Sequence, residues 1–267
     1  SRIDALIIGE AELRVVELLK QIDSRDWLPL VYWRDEFGEI RNSIPKDVDR
    51  TWLSPDINRL PLVDRRFLDD DPYLDGGVLE SAMVASRGCP FDCSFCGAAV
   101  SANPDISIRM REAESILNEI KSLKSKFGVL RIRFVDDLFL SSAKNMFNIL
   151  SAFVREKIQV EWDATGRINI LNSASDEIIE LMKKSGCREI ALGIETGSDR
   201  LLAHIDKKIS VSQVKNVVMR LCSQGINVKG YFIFGLPTET VEEHLATISL
   251  IRELWRISAD LPGSFRC

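Results

Sequence analysis

Residues 81–96 read SAMVASRGCPFDCSFC, an apolar run with the pattern of a β-strand and, directly after it, a loop holding Cys89, Cys93 and Cys96. The spacing is C-x3-C-x2-C. Thiolates select soft metals, namely zinc, copper(I) or iron–sulfur clusters. A structural zinc site takes four protein ligands, and a cubane cluster is usually held by four cysteines. No fourth ligand stands nearby: His204 and His244 lie over a hundred residues downstream, and Cys187, Cys222 and Cys267 are scattered. Three thiolates leave one coordination position open, by the logic that separates open catalytic metal sites from closed structural ones. A zinc knuckle and an incidental clustering of buried cysteines are the alternatives.

Downstream of this strand a regular alternation begins. The pattern predicts a helix from about Ile108 to Phe127, with Ala113, Ile116, Leu117, Ile120 and Leu123 on one face. It continues with a strand in VLRIRFVDD (129–137), a helix in AKNMFNILSAFVRE (143–156) and a strand in VEWDATG (160–166). A helix in SDEIIELMKKSG (175–186) has Ser175 to cap it and Gly186 to end it. Next come a strand in REIALGIET (188–196), helical turns and SVSQVKNVVMRLCSQG (210–225), and a strand in NVKGYFIFGL (227–236). The last helix opens on Thr240 and Glu243, a capping-box spacing, and is expected to turn Val241, Leu245, Ile248 and Leu254 inward. Five βα units imply parallel strands with right-handed crossovers. Mostly apolar runs imply strands covered on both faces. The expected fold class is α/β, with the parallel strands in a partial (β/α) barrel or an open sheet. RISADLPGSFRC (256–267) reads as too short and irregular for a sixth unit.

Upstream, IDALIIGEAELRVVELLKQI (3–22) reads as a short strand, a Gly9-Glu10 turn and a helix from about Ala11 to Gln21. Its expected inner face is Leu13, Val16, Leu19 and Ile22. One strand and one helix cannot close a core. Residues 23–80 carry weak periodicity, with Pro29, Pro45, Pro55, Pro61 and Pro72 spread through them, short strands in LPLVYWRD (28–35) and GEIRN (38–42), and polar punctuation in DDDPYLDGG (69–77). A connector of that length suggests an interdomain linker. The expected division is therefore 1–22, 23–80 and 81–267, with both ends cut relative to a complete protein.

The composition, 45% hydrophobic and 28% charged with net charge −5, is that of a globular protein and gives no argument for a nucleic-acid or membrane partner. No apolar run is long enough to span a bilayer. Glu10 and Glu12 interrupt any signal-peptide core, so a cytoplasmic protein is expected. Met146 and Met182 fall on helical apolar faces. His204 and His244 show no partner signature, and Lys20, Lys207 and Lys208 are expected to be solvated. Walker loops, Rossmann fingerprints and Ser/His/Asp constellations do not occur.

The run CPFDCSFC, with Phe95 directly before the third cysteine, resembles the radical S-adenosylmethionine superfamily. The resemblance implies a 4Fe–4S cluster on Cys89, Cys93 and Cys96, whose open iron chelates S-adenosylmethionine. It implies reductive cleavage of the cofactor to methionine and a 5′-deoxyadenosyl radical, with an external electron donor such as flavodoxin or ferredoxin. Such clusters reach potentials of about −700 mV, and the C-terminal mouth of a βα barrel offers a shielded place for them. Polar residues stand at the strand ends where cofactor contacts belong. The resemblance places a methionine-amino contact around Asp136 and Asp137, with a capping or turn role as the structural alternative. Arg167 is a candidate for the cofactor's carboxylate or ribose, or else a surface arginine. Glu195 is expected to bond the ribose or pair with Arg167. Ile233, Phe234 and Gly235 are similar to the segment that flanks adenine.

DALIIGEAELRVVELL (4–19), with Gly9-Glu10-Ala11-Glu12, is similar to the last strand–helix of the cobalamin-binding, Rossmann-like domain that precedes the radical domain in one branch. FVDDLF and GLPTET are similar to that branch too. It contains methyltransferases, cyclases and rearrangement enzymes. Its Asp-x-His-x-x-Gly motif is absent from this sequence, so cobalamin is expected only in a longer form. The substrate, a small molecule or peptide, is left unnamed. A non-catalytic iron–sulfur or zinc module is the competing reading.

Overall fold

The expected alternation after residue 80 is realised as a parallel sheet. The computed structural model describes residues 3, 5–20, 30–43, 56–65, 74, 75, 77–101 and 108–267. The chain folds as two units, Ser1–Leu62 and Val63–Cys267. Pro29, Pro45, Pro55 and Pro72, Gln21, Ile22 and most of DDDPYLDGG lie outside the described residues.

In the first unit, β1 (Ala5–Ile7), β2 (Val31–Arg34) and β3 (Ile40–Asn42) form an antiparallel sheet beside α1 (Glu12–Lys20), and a 3-10 turn follows at Ile57–Arg59. Leu18 and Val31 pack with Ala5, Ile7 and Trp33. The expected inner face of α1 is corrected: Leu13, Val16 and Leu19 are exposed, and Arg14 is buried. The reason is polar. The Arg14 guanidinium donates to the carbonyls of Ile8, Glu10 and Leu30, so it occupies the inner position.

In the second unit, β4 (Leu74–Asp75) pairs antiparallel with β5 (Val78–Met83), and β6 (Ser86–Arg87) pairs antiparallel with β7 (Arg109–Met110). There follow α2 (Ala113–Phe127), β8 (Arg131–Phe134), α3 (Ala143–Arg155), β9 (Glu161–Gly166), α4 (Ile168–Ser173), α5 (Asp176–Lys184) and β10 (Cys187–Glu195). The chain continues with α6 (Asp199–His204), α7 (Val211–Ser223), β11 (Asn227–Phe232), α8 (Val241–Ser258) and β12 (Phe265–Arg266). The sheet order is β12-β11-β10-β9-β8-β5-β4, and the six strands from β5 to β12 are mutually parallel.

The two compact units divide at Leu62. β1 finds its partner in residues 31–34 of the expected connector, and Arg65 is bound to Glu119 of α2 at 3.2 Å. Three further expectations are corrected. Arg109 and Met110 are strand rather than helix, because they pair with Arg87 and Ser86. The C-terminal segment does supply a sixth strand. Phe265 is buried where a Cβ on Gly230 would come within 2.8 Å of its ring, and its amide donates to Ser258 Oγ. The strands alternate instead of forming mostly continuous apolar runs. Ile132, Phe134, Trp162, Ile190, Leu192 and Val228 join the helices in one core. Of the intervening residues, two apart along each strand and on the opposite face, Arg131, Arg133, Glu161, Asp163, Glu189 and Lys229 carry charge.

Helix ends follow the expected caps. Ser175 accepts the Ile178 amide, Gly186 follows α5 at φ +96°, and Thr240 and Glu243 form a reciprocal capping box. The inner face of α8 is corrected: Thr247, Leu250, Leu254 and Ser258 are buried, while Val241 and Leu245 are exposed. Thr247 is drawn inward by polar contacts, since its Oγ1 meets Thr196 Oγ1 and the Gly197 amide. A Cβ on Gly197 would lie 2.6 Å from the Ala246 carbonyl oxygen, so α8 docks there on bare backbone. Among the described residues, no helix is long and apolar enough to cross a membrane.

Candidate active site

The cysteine loop leaves the sheet because β5 ends at Met83 and the next amides are claimed elsewhere. The Asp136 carboxylate, two residues beyond β8, accepts from the Ala85 and Ser86 amides and from Ser86 Oγ at 2.6 Å. Its burial pushes the carboxyl up from its ordinary range even against these donors. Within the loop, the Cys96 amide donates to Cys93 O, Val100 to Phe91 O, and Ser94 to Ile205 O beyond α6. A fold of local and long-range bonds thus shapes the loop.

The three cysteines border one cavity of about 280 Å³ at the C-terminal ends of β9, β10 and β11. Cys93 is buried, and Cys89 and Cys96 are partly exposed. Burial pushes the Cys89 thiol up, while the charge of Arg167 pulls it back. Arg167 follows β9 and is buried. Its Nη1 donates to Cys93 Sγ at 3.2 Å, its Nη2 to the Lys207 carbonyl, and its guanidinium lies 3.7 Å from the Phe91 ring centroid. Its Nε is buried with no hydrogen-bond partner among the described residues.

Glu195 ends β10 at φ +67°, beside a register shift in the β10–β11 pairing. Its expected pairing with Arg167 is corrected. The partner is Lys207, at 2.5 Å, and both side chains are under 10% exposed. Lys207 is therefore not solvated; its ammonium lies 5.6 Å from the Phe95 ring centroid. Lys20 and Lys208 are exposed as expected. Gly193 makes room for the buried pair, since a Cβ there would lie 2.3 Å from Glu195 Oε1 and 2.6 Å from Lys207 Nζ.

The cavity thus gathers Cys89, Cys93, Cys96, Phe95, Asp137, Arg167 and Glu195. Asp136 is spent on the loop. Ile233 packs against Leu201, Ile205 and Leu236 and donates its amide to the Glu195 carbonyl, while the Gly235 amide, at φ +80°, donates to Glu239. Neither lines the cavity. Lys207, Gly193, Phe91 and Tyr231 belong to it and were not predicted. The available signal was spacing: Gly193 and Glu195 share a sheet face two residues apart. Cys187 and Cys222 sit in the core, where burial pushes the Cys222 thiol up to about 11.

Among the described residues, no three His, Cys, Asp or Glu side chains converge as ligands of a single metal ion. Three thiols around one cavity, a guanidinium on one sulfur and an unpartnered buried Nε form a donor set suited to a sulfur-ligated cluster and an anionic co-ligand.

Residues 83–251 match the radical S-adenosylmethionine (SAM) superfamily. The chain belongs to this superfamily. Radical SAM proteins use a 4Fe–4S cluster and S-adenosylmethionine. The uncharacterized methyltransferase PH0819 of Pyrococcus horikoshii is 31% identical over 272 residues, covering 98% of this chain and 57% of its own length. Cytidylyl-2-hydroxyethylphosphonate methyltransferase of Streptomyces wedmorensis is 22% identical, covering 94% of this chain and 52% of its own. The chain spans about half the length of these curated relatives. Among solved structures, the radical SAM methyltransferase TsrM from Kitasatospora setae, with cobalamin and a [4Fe-4S] cluster bound, superposes with TM-score 0.75. The identity is 20%, over 98% of this chain and 51% of that one. The cobalamin-dependent radical SAM enzyme OxsB gives 0.68 at 18% identity, over 92% and 36%. These two likenesses concern the fold.

Proposed function

We propose that the chain is the core of an enzyme that cleaves S-adenosylmethionine reductively on a 4Fe–4S cluster held by Cys89, Cys93 and Cys96, and that the cleavage serves methyl transfer. The observation that carries this is the meeting of three thiols and one buried guanidinium in one cavity at parallel strand ends. When bound, the cluster supplies the electron that breaks the cofactor's sulfonium C–S bond.

The chain's own residues hold the reactants. Arg167 and Lys207 bring two cations to the cavity, and Glu195 pairs with Lys207, so the Arg167 guanidinium is the local partner for an anionic ligand, the cofactor's carboxylate among them. Arg167 also donates to a cysteine sulfur, and hydrogen bonds to sulfur tune cluster potentials. Phe91, Phe95 and Leu138 supply apolar wall that excludes water. Asp137 faces the cavity and is assigned the cofactor's ammonium. Glu195 Oε1 is held by Lys207, which leaves Oε2 for a ribose hydroxyl. The Ile233–Gly235 segment, outside the cavity but bonded through the Ile233 amide to the Glu195 carbonyl, is assigned to adenine.

The methyl-transfer assignment is supported by the methyltransferase names of the relatives. Cobalamin is not fitted by these residues, since the Asp-x-His-x-x-Gly motif is absent. It is assigned to a longer form alone. A flavodoxin or ferredoxin as electron donor and a cytoplasmic setting belong to the same reading.

The test is anaerobic reconstitution with iron and sulfide, then S-adenosylmethionine and a strong reductant. 5′-Deoxyadenosine is expected from the wild type, and Cys93→Ala is expected to lose both product and cluster absorbance. Full cluster content and product in Cys93→Ala would overturn the assignment. Stoichiometric zinc without iron in protein as isolated would favour a binding module instead.

A further inference from the structure

Beside the cysteine cavity, on the same sheet face, lies a second one of about 270 Å³. The two share Thr165 and Tyr231 in their walls. Strand geometry connects them. Thr165, Gly193 and Tyr231 line the upper cavity, and Asp163, Ala191 and Lys229, two residues earlier on the same strands, line the lower one. Two residues along a strand are about 7 Å.

Four charged side chains of this floor stand in ion pairs. Arg133 pairs with Glu80 at 2.7 Å, Asp163 with Arg188, and Glu189 with Arg266 at 2.6 Å. Asp136, which also lines it, is held by neutral donors of Ala85 and Ser86. Lys229 differs. Among the described residues its ammonium makes no hydrogen bond or ion pair and only flanks the Tyr231 ring, 5.1 Å from its centroid. The strand register explains why. Thr165, Ala191, Lys229 and Arg266 stand abreast on β9 to β12, so that row has two cations side by side and no carboxylate. Adjacent like charges repel, and Arg266 already has its anion.

We infer that Lys229 receives the anionic group of the substrate, a small polar molecule bearing a carboxylate or phosphate, whose other end lies beside Tyr231 next to the cysteine cavity. This rests on the reading that the cysteine cavity is the reaction centre and names the substrate class for it. This floor is a poor match for a large apolar polycycle, because burying it there would strip water from the six charged side chains that line the cavity.

The test titrates the purified chain, without cluster or S-adenosylmethionine, with inorganic phosphate and separately with acetate, followed by 31P and 13C NMR. Saturable binding of at least one anion is expected in the wild type and in Lys229→Arg. In Lys229→Gln it should be about tenfold weaker, the loss of one charge-assisted contact. Preference for phosphate or acetate identifies the group. Equal binding in Lys229→Gln, or no saturable binding in the wild type, overturns the inference. A second readout needs no variant: the anion should slow chemical acetylation of Lys229, followed by mass spectrometry, and leave exposed Lys208 unaffected. Unchanged acetylation of Lys229 counts against it. Because neither readout uses the cluster, failure to make 5′-deoxyadenosine would remove the proposed function and the substrate reading of this site while leaving an anion site at Lys229, whereas failure to bind anion would sink this inference alone.

Discussion

Asp136 does at the residue scale what a run of strand pairing does elsewhere, since it takes three donors from the entrance of the cysteine loop. Asp136→Asn turns an amide NH2 toward those donors and leaves buried groups unpaired, at a cost of about 1–3 kcal/mol. The expected outcome is a lower urea midpoint and reduced iron content after reconstitution, and an unchanged midpoint would rule out the anchoring role. The cysteines themselves were legible because three thiols in eight residues have few other uses. Asp136 and Asp137 were legible only as a pair, since sequence does not say which of two neighbouring carboxylates meets the loop. Lys207 was misread as solvated. It stands beside Asp206 and Lys208 in a charged run, and its burial is decided by Glu195, twelve positions earlier.

At the scale of elements, α8 depends on its first turn. Glu243 accepts from the Thr240 amide, Ser198 Oγ and the Arg200 guanidinium, and these contacts, Arg200 foremost, hold its carboxyl down at about 2. A carboxyl depressed from about 4.3 on folding contributes stability fully above that value, lost as pH falls toward 2. Glu243→Gln is therefore expected to lower the melting temperature near pH 7, with the gap to wild type closing between about pH 5 and pH 2. A calorimetric series in which the gap is the same at all pH values would contradict this. The capping box was visible in sequence because its chemistry is local. The buried face of α8 was not, because Thr247 is chosen by Thr196 and Gly197 across the fold. The same holds for Arg14 in α1, whose carbonyl partners pull a charged side chain inward past three aliphatic neighbours. The sixth strand was missed for the same reason, since two residues carry no periodicity and only the bare Gly230 opposite explains Phe265.

Over the whole second unit, sites distant in sequence are tied by buried charge. Arg65 and Arg111 share Glu119, at 3.2 and 2.6 Å, all three side chains under 10% exposed, and both guanidinia also reach carbonyls near the end of β5. Glu119→Gln strands two buried cations, a loss of about 3–5 kcal/mol. Chemical unfolding followed by circular dichroism should show it as a large midpoint shift, and a shift within error would mean the triad is not a structural tie. The parallel α/β class was legible from the alternation of periods, but the charged sheet face was not. That face has a further consequence for how the chain reaches its native pairing. Arg131–Glu161, Arg133–Glu80 and Arg188–Asp163 each join adjacent strands. A strand displaced by one residue would present its ions to the helices and its aliphatic side chains to water. Misthreaded sheets are thus rejected by the cost of burying unmatched ions, and the same ion pairs that shape the cavity floor act as a proofreading device during assembly.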